Sequence, residues 1–161
     1  MSWLPYKRLS VLQAFLKLLK IVWASPNSSL GFAAGLLGVP FGTRMQFREG
    51  CVEFFGGLVT GFLQRVPPGG STAAMTLGHV ILGQSPTDLC RCRAHEQVHV
   101  RQYEQWGPFF LPAYFGWSFI RWLQSRDAYL DNPFEVEAYR IADPRQPRKA
   151  NSGEPESVDS E

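Results

Sequence analysis

Ala94-His95-Glu96-Gln97-Val98-His99 is the stretch from which the rest of the chain is read. It carries the pattern H-E-x-x-H within a run of helical character. Positions four apart on a helix lie about 40° apart around the axis and one turn up, so both imidazoles leave the same face. Two neutral histidines so placed can enter one tetrahedral zinc shell, each at about 2.0–2.1 Å. Glu96 stands beside them, too close to ligate comfortably but well placed to hold a metal-bound water. Two ligands and a general base point to metal-assisted hydrolysis. The chain has 3 histidines, and two fall in this motif.

The helix around the motif is expected to start near Pro86 or Thr87, with Ser85 as N-cap and Asp88 in the first turn. It runs through Val100, Gln102 and Tyr103 to Trp106, and Gly107-Pro108 ends it. Residues 109–124 form a very apolar helix rich in Phe, Tyr and Trp, with Pro112 tolerable in its first turn. Asp127–Asp131 reads as a loop. Asn132-Pro133-Phe134-Glu135 then opens a last helix, with Asn at N-cap, Pro at N1 and Glu at N3, running to about Ala142.

Upstream the period changes. Thr43–Phe47 and Cys51–Phe55 are strand-like runs flanking Glu49-Gly50, the pattern of a β-hairpin. Leu58–Val66 suits either a strand or a helix, and Pro67-Pro68-Gly69-Gly70 is a loop. Ala74–Leu82 reads as one strand with Gly78 and His79 in its middle, closed by Gly83. His79 there is more often a satisfied, half-buried histidine than a catalytic one.

Residues 8–24 are expected to form an amphipathic helix that Pro26 stops near Ala24. Leu9, Leu12, Phe15, Leu16, Leu19, Val22 and Trp23 share one face, and Ser10, Gln13, Lys17 and Lys20 the other. Packing of the leucine face on the core is the favoured reading; peripheral contact with an anionic membrane through residues 8–42 is the alternative. Leu30–Gly42 suggests a short second helix, whose Gly31 and Gly35 allow close packing against the first. No run offers 18 or more continuous apolar residues, so no transmembrane helix is expected.

With 161 residues and 45% hydrophobic content, the chain can bury a real core. A net charge of +2 gives no nucleic-acid signature. The 3 cysteines, Cys51, Cys90 and Cys92, have no disulfide-framework spacing and suggest reduced thiols in a cytoplasmic setting. Cys90 and Cys92 would point about 200° apart on a helix, which favours packing over a second metal site. The expected organisation is an N-terminal helical region 1–42, a metal-binding core 43–143 and a disordered polar tail 144–161.

The third ligand decides the class of site. A metzincin would continue with Gly at 102 and His at 105, where this chain has Gln102 and Gln105. Glu104 lies about 180° around the helix from His95 and points away. Asp127, Asp131, Glu135 and Glu137 remain. Glu135 and Glu137 diverge by about 200°, so only one can meet the metal. Glu135 at N3 also suits a capping box.

His95-Glu96-Gln97-Val98-His99, followed on a later helix by Glu135-Val136-Glu137-Ala138, resembles the gluzincin arrangement of H-E-x-x-H plus E-x-x-A, similar to that of thermolysin and the CAAX-processing prenyl proteases. Tyr103-Glu104-Gln105-Trp106-Gly107-Pro108 and Asp131-Asn132-Pro133-Phe134-Glu135 also resemble short bacterial proteins with a minimal gluzincin-like core. The resemblance implies zinc on His95, His99 and Glu135, with Glu96 as general base and a peptide or protein as substrate. Gluzincins usually place an Asp four residues after the ligating Glu to orient a histidine; Tyr139 stands there, and its phenol can accept a hydrogen bond from an imidazole. Arg93 and Arg101 flank the motif, where zincin helices avoid charge. The strand before a zincin's motif helix commonly offers an edge to an extended peptide, which assigns that role to Ala74–Leu82 and lets His79 help polarise the carbonyl. The expected fold is an α+β minimal zincin with N-terminal helices, a small, mainly antiparallel sheet, the motif helix and C-terminal helices. The expected function is zinc-dependent peptide hydrolysis; the alternative is a non-catalytic metal-binding or membrane-associated scaffold that keeps the motif.

Overall fold

The computed structural model describes residues 11–66 and 72–142. The expected Pro67-Pro68-Gly69-Gly70 loop and the polar tail 144–161 lie outside them. The architecture is α+β. In order come α1 (Val11–Gly38), a 3-10 turn (Val39–Phe41), β1 (Arg44–Arg48), β2 (Cys51–Phe55) and α2 (Gly57–Leu63). Then follow β3 (Ala74–Leu77), β4 (Val80–Gly83), α3 (Pro86–Trp106), a second 3-10 turn (Gly107–Phe109), α4 (Phe110–Leu123) and α5 (Pro133–Ala142).

The strands form one mixed sheet in the order β1-β2-β4-β3. The β1–β2 and β3–β4 pairings are antiparallel; β2–β4 is parallel. The expected first hairpin is present, and Glu49 and Gly50 sit at φ 50° and 82°. Two left-handed central residues are what a two-residue type I′ turn requires. The single strand expected over Ala74–Leu82 is in fact two strands. Gly78, at φ 64°, and His79 form the turn between them. The apolar alternation on both sides conceals this turn, which the glycine's left-handed backbone makes possible. A Cβ at Gly78 would also run into Ser28 of α1.

The two sheet faces bury different partners. Phe54, Val80 and Leu82 pack with Val59 and Leu63 of α2, alongside Ala34 of α1. On the opposite face, Cys51, Ala74 and Ile81 meet Leu89 and Val100 of α3. A third cluster, Ala24, Tyr103, Phe110 and Phe134, ties α1, α3, α4 and α5 together.

Pro26 does not stop the first helix: α1 runs through it for 28 residues. Proline lacks the N–H that would bond the carbonyl four residues back. The hydroxyl of Ser25 donates to that carbonyl, Val22 O, at 2.7 Å. Asn27 then donates to Gly107 O at 2.8 Å, and Ser28 accepts from the His79 N–H at 2.9 Å. Residues that look like a breaker are the polar seam by which α1 docks. The expected second helix is the continuation of the first, so its glycines do not pack against it. Gly31 lies on Val80 and Leu77, and Gly35 lies on the Phe54 ring.

The leucine face is not packed on the core. Leu12, Phe15, Leu16, Leu19, Val22 and Trp23 are exposed, and the half-exposed Lys20 pairs with Glu104 of α3 at 3.1 Å.

A Cβ at Gly35 would overlap the Phe54 ring. Gly35→Ala is therefore expected to destabilise the protein by about 1–3 kcal/mol despite the helix propensity gained. A urea midpoint unchanged from wild type would contradict this packing.

Candidate metal centre

The motif helix begins as its sequence requires: the Ser85 hydroxyl accepts from Asp88 N–H at 3.1 Å, and Pro86 follows at the first helical position. α5 begins in the same way, with Asn132 Oδ1 accepting from Phe134 N–H at 3.0 Å. The Asn132 amide also donates to Tyr114 O and Ser118 Oγ, each at 2.9 Å, which fixes α5 against α4. Glu135 is thus presented from a rigid first turn. Its carboxylate makes no capping box; it faces α3.

Three side chains converge there. His95 Nε2 lies 3.0 Å from His99 Nε2, Glu135 Oε2 lies 3.2 Å from His95 Nε2, and Glu135 Oε1 lies 3.4 Å from His99 Nε2. A tetrahedron with metal bonds of about 2.0–2.1 Å has edges of about 3.3–3.4 Å. With one ligand atom from each residue, the three atoms lie within 4.8 Å of one another, close enough to be drawn onto one such shell. Glu135 Oε2 is buried and has no hydrogen-bond partner, although His95 Nε2 is close. Among the described residues, His95, His99 and Glu135 form a group able to hold a metal ion.

The surroundings set the tautomer of His99. Gln102 donates its amide to Phe134 O at 3.0 Å and Glu137 Oε2 at 2.9 Å. Its Oε1 must therefore face His99 Nδ1, 2.8 Å away, and the imidazole donates from Nδ1. That leaves Nε2 as the metal-facing nitrogen. Glu137 takes no place in the triad; it orients Gln102. Tyr114 donates its hydroxyl to Glu135 Oε1 at 2.7 Å. Burial and the neighbouring Glu135 charge raise the Tyr114 pKa, so the phenol stays a donor.

Glu96 is buried, and its carboxylate accepts from the Thr76 hydroxyl of β3 at 2.6 Å. Tyr139 packs its ring on His95, with centroids 4.6 Å apart, and hydrogen-bonds to Tyr129. It braces His95 by contact rather than in the manner of an orienting Asp. His79 lies elsewhere: it neighbours Glu104 at 3.4 Å, on the other side of α3 from the triad. Arg93 explains its place beside the motif by a fork onto the buried Glu53 at 2.9 and 3.1 Å. Gln102, Thr76 and Tyr114 are the site residues that sequence reading missed. Only Gln102 carried a local signal, standing three residues after His99 on the same helix face.

Burial disfavours the charged form of both His99 and Glu135, yet their pairing outweighs it. His99 is raised to about 9, chiefly by Glu135, and Glu135 is lowered to about 2, chiefly by His95 and His99. In metal-free protein the His99 contribution is present below its ordinary value of 6.5 and is lost as pH rises through about 9. The Glu135 contribution is present above 4.5 and is lost as pH falls through about 2. Metal binding has the opposite sign, because it needs an unprotonated Nε2. Were a metal ion such as zinc held at Nε2, its affinity should climb from pH 6.5 to about 9 while metal-free stability declines. Titrations giving a flat zinc affinity across that range would contradict the pairing.

Comparison with family models, curated proteins and solved structures gave no match to this chain.

Proposed function

We propose that this chain binds zinc through His95, His99 and Glu135 and hydrolyses peptide bonds with Glu96 as general base. The observation that carries the reading is the meeting of two helices at one point. Three ligand atoms, one from each residue, stand within 4.8 Å of one another, with the far nitrogen of His99 already committed to Gln102. A zinc ion held there would polarise a carbonyl and acidify a water. The chain's own residues supply the rest. Thr76 anchors the Glu96 carboxylate, which takes a proton from water and returns it to the leaving amine. Tyr114 holds the Glu135 carboxylate, and Tyr139 keeps the His95 ring in place. His79 has no part in this scheme.

Within Ala74–Leu82 an extended substrate has β3 as its docking strand, an edge of the sheet, because β4 is paired on both sides. Tyr103 donates its hydroxyl to Thr76 O at 3.1 Å, so a peptide adding to this edge must displace that bond or pair beyond it.

A second reading is favoured by burial: His99 is 6% and Glu135 3% exposed. A metal so enclosed would clamp α3 to α5 without turnover. Incubating the zinc-loaded full chain with a broad peptide library separates the two. Cleavage that chelation abolishes supports hydrolysis; metal-raised stability with no cleavage at any loading supports the clamp.

A further inference from the structure

We infer that the outward surface formed by α1, β1 and α4 is a docking face for an anionic lipid bilayer, seated at the headgroup boundary without crossing it. The inference is independent of the metal centre's chemistry. It begins with two helices that expose their apolar residues. On α1, residues 11–23 are exposed all round, Leu12, Phe15, Leu16, Leu19 and Val22 among them, and the half-exposed Lys20 reaches Glu104. On α4, Phe115, Phe119, Ile120, Trp122 and Leu123 face outward, while Ser118 and Arg121 bond inward to Asn132 and to Asp131 O. A surface helix in water turns its apolar stripe to the core, and these two leave theirs uncovered.

Local contacts link these elements. Trp23 of α1 meets Phe109, at the head of α4, with ring centroids 6.2 Å apart. Phe32 of α1 meets Phe54 of β2, and Met45 and Phe47 of β1 pair with Phe54 and Val52, extending the same side to the sheet edge. Met45 and Phe47 are exposed there. Contiguous apolar patches of this kind mark interaction surfaces.

Charge selects the occupant. Residues 11–48 and 110–124 hold Lys17, Lys20, Arg44, Arg48 and Arg121 but no Asp or Glu. An apolar face with exposed cations at Lys17, Arg44 and Arg48, and tryptophans at Trp23 and Trp122, suits anionic headgroups over an acyl layer. Among the described residues, no helix is long and apolar enough to cross a membrane. The face therefore lies on the bilayer.

The test is flotation of the purified full chain with phosphatidylcholine vesicles, with and without about one-third phosphatidylglycerol, beside light scattering of the lipid-free protein. The expected result is flotation with the anionic vesicles that salt weakens. The double variants Leu16→Glu/Leu19→Glu and Phe119→Glu/Trp122→Glu should each reduce it on the order of tenfold. All four side chains are exposed, so circular dichroism and melting should match wild type. Wild type that remains unfloated with anionic vesicles overturns the inference, as does flotation unaltered by both double variants. A lipid-free dimer that the same variants convert to monomer, without flotation, overturns it in favour of a second copy of this chain.

Discussion

Glu135→Ala is expected to yield a protein that no longer retains stoichiometric zinc, while Glu137→Ala keeps it. Removing one of the three proposed ligands also removes the charge that would offset the metal's own, and would leave the histidine pair without its third protein donor. Metal affinity should fall by well over the roughly 10–100-fold that losing a supporting partner costs. Glu137 acts only through Gln102, whose amide keeps its second acceptor, Phe134 O, at 3.0 Å. Its loss should weaken zinc by about tenfold or less. Glu135 is buried and paired to Tyr114, so the alanine variant leaves that hydroxyl unsatisfied. Glu135→Gln preserves volume and a hydrogen-bond acceptor and provides the folded comparison. Metal content after dialysis, with circular dichroism of each variant, decides the matter. Full zinc in folded Glu135→Gln and Glu135→Ala would remove Glu135 from the shell.

The second large effect separates binding from chemistry. Glu96→Gln is expected to keep zinc and lower peptide hydrolysis by about 10²–10⁴-fold, the range that a positioned general base supplies. The amide still fits beside Thr76 but cannot take a proton. Zinc content and turnover measured on the same preparation read the two roles apart. Turnover within twofold of wild type, with zinc bound, would dismiss Glu96 as the base.

Local chemistry made much of this architecture legible before any coordinates. Ser85-Pro86 and Asn132-Pro133 announce their helices because cap and first-turn residues act within three positions. Glu49-Gly50 announces its hairpin for the same reason. What stayed hidden depends on distant partners. Pro26 reads as a break until Ser25 is seen to serve the carbonyl that proline abandons, and until Asn27 and Ser28 find Gly107 and His79. Gly78 reads as a strand interior because both flanks alternate, and only contact with Ser28 reveals the turn. The outward leucines of α1 follow the helical period faithfully. Periodicity shows that a face exists and says nothing of which way it turns. At the metal centre, His95 and His99 were readable from spacing alone. Glu135 needed a resemblance to be chosen, and Thr76 and Tyr114 come from elements no local rule connects to α3.

The parallel ladder between β2 and β4 has a consequence for where folding meets its entropic cost. The β1–β2 and β3–β4 hairpins each close over two residues, so their ladders demand little loop closure. Val52 and Val80, paired across the centre of the sheet, stand 28 positions apart. Everything between them, α2 included, must be gathered before that ladder returns any hydrogen bonds. The sheet is two inexpensive local halves joined by one non-local seam, and Gly31 and Gly35 of α1 rest on Val80 and Phe54, along that seam.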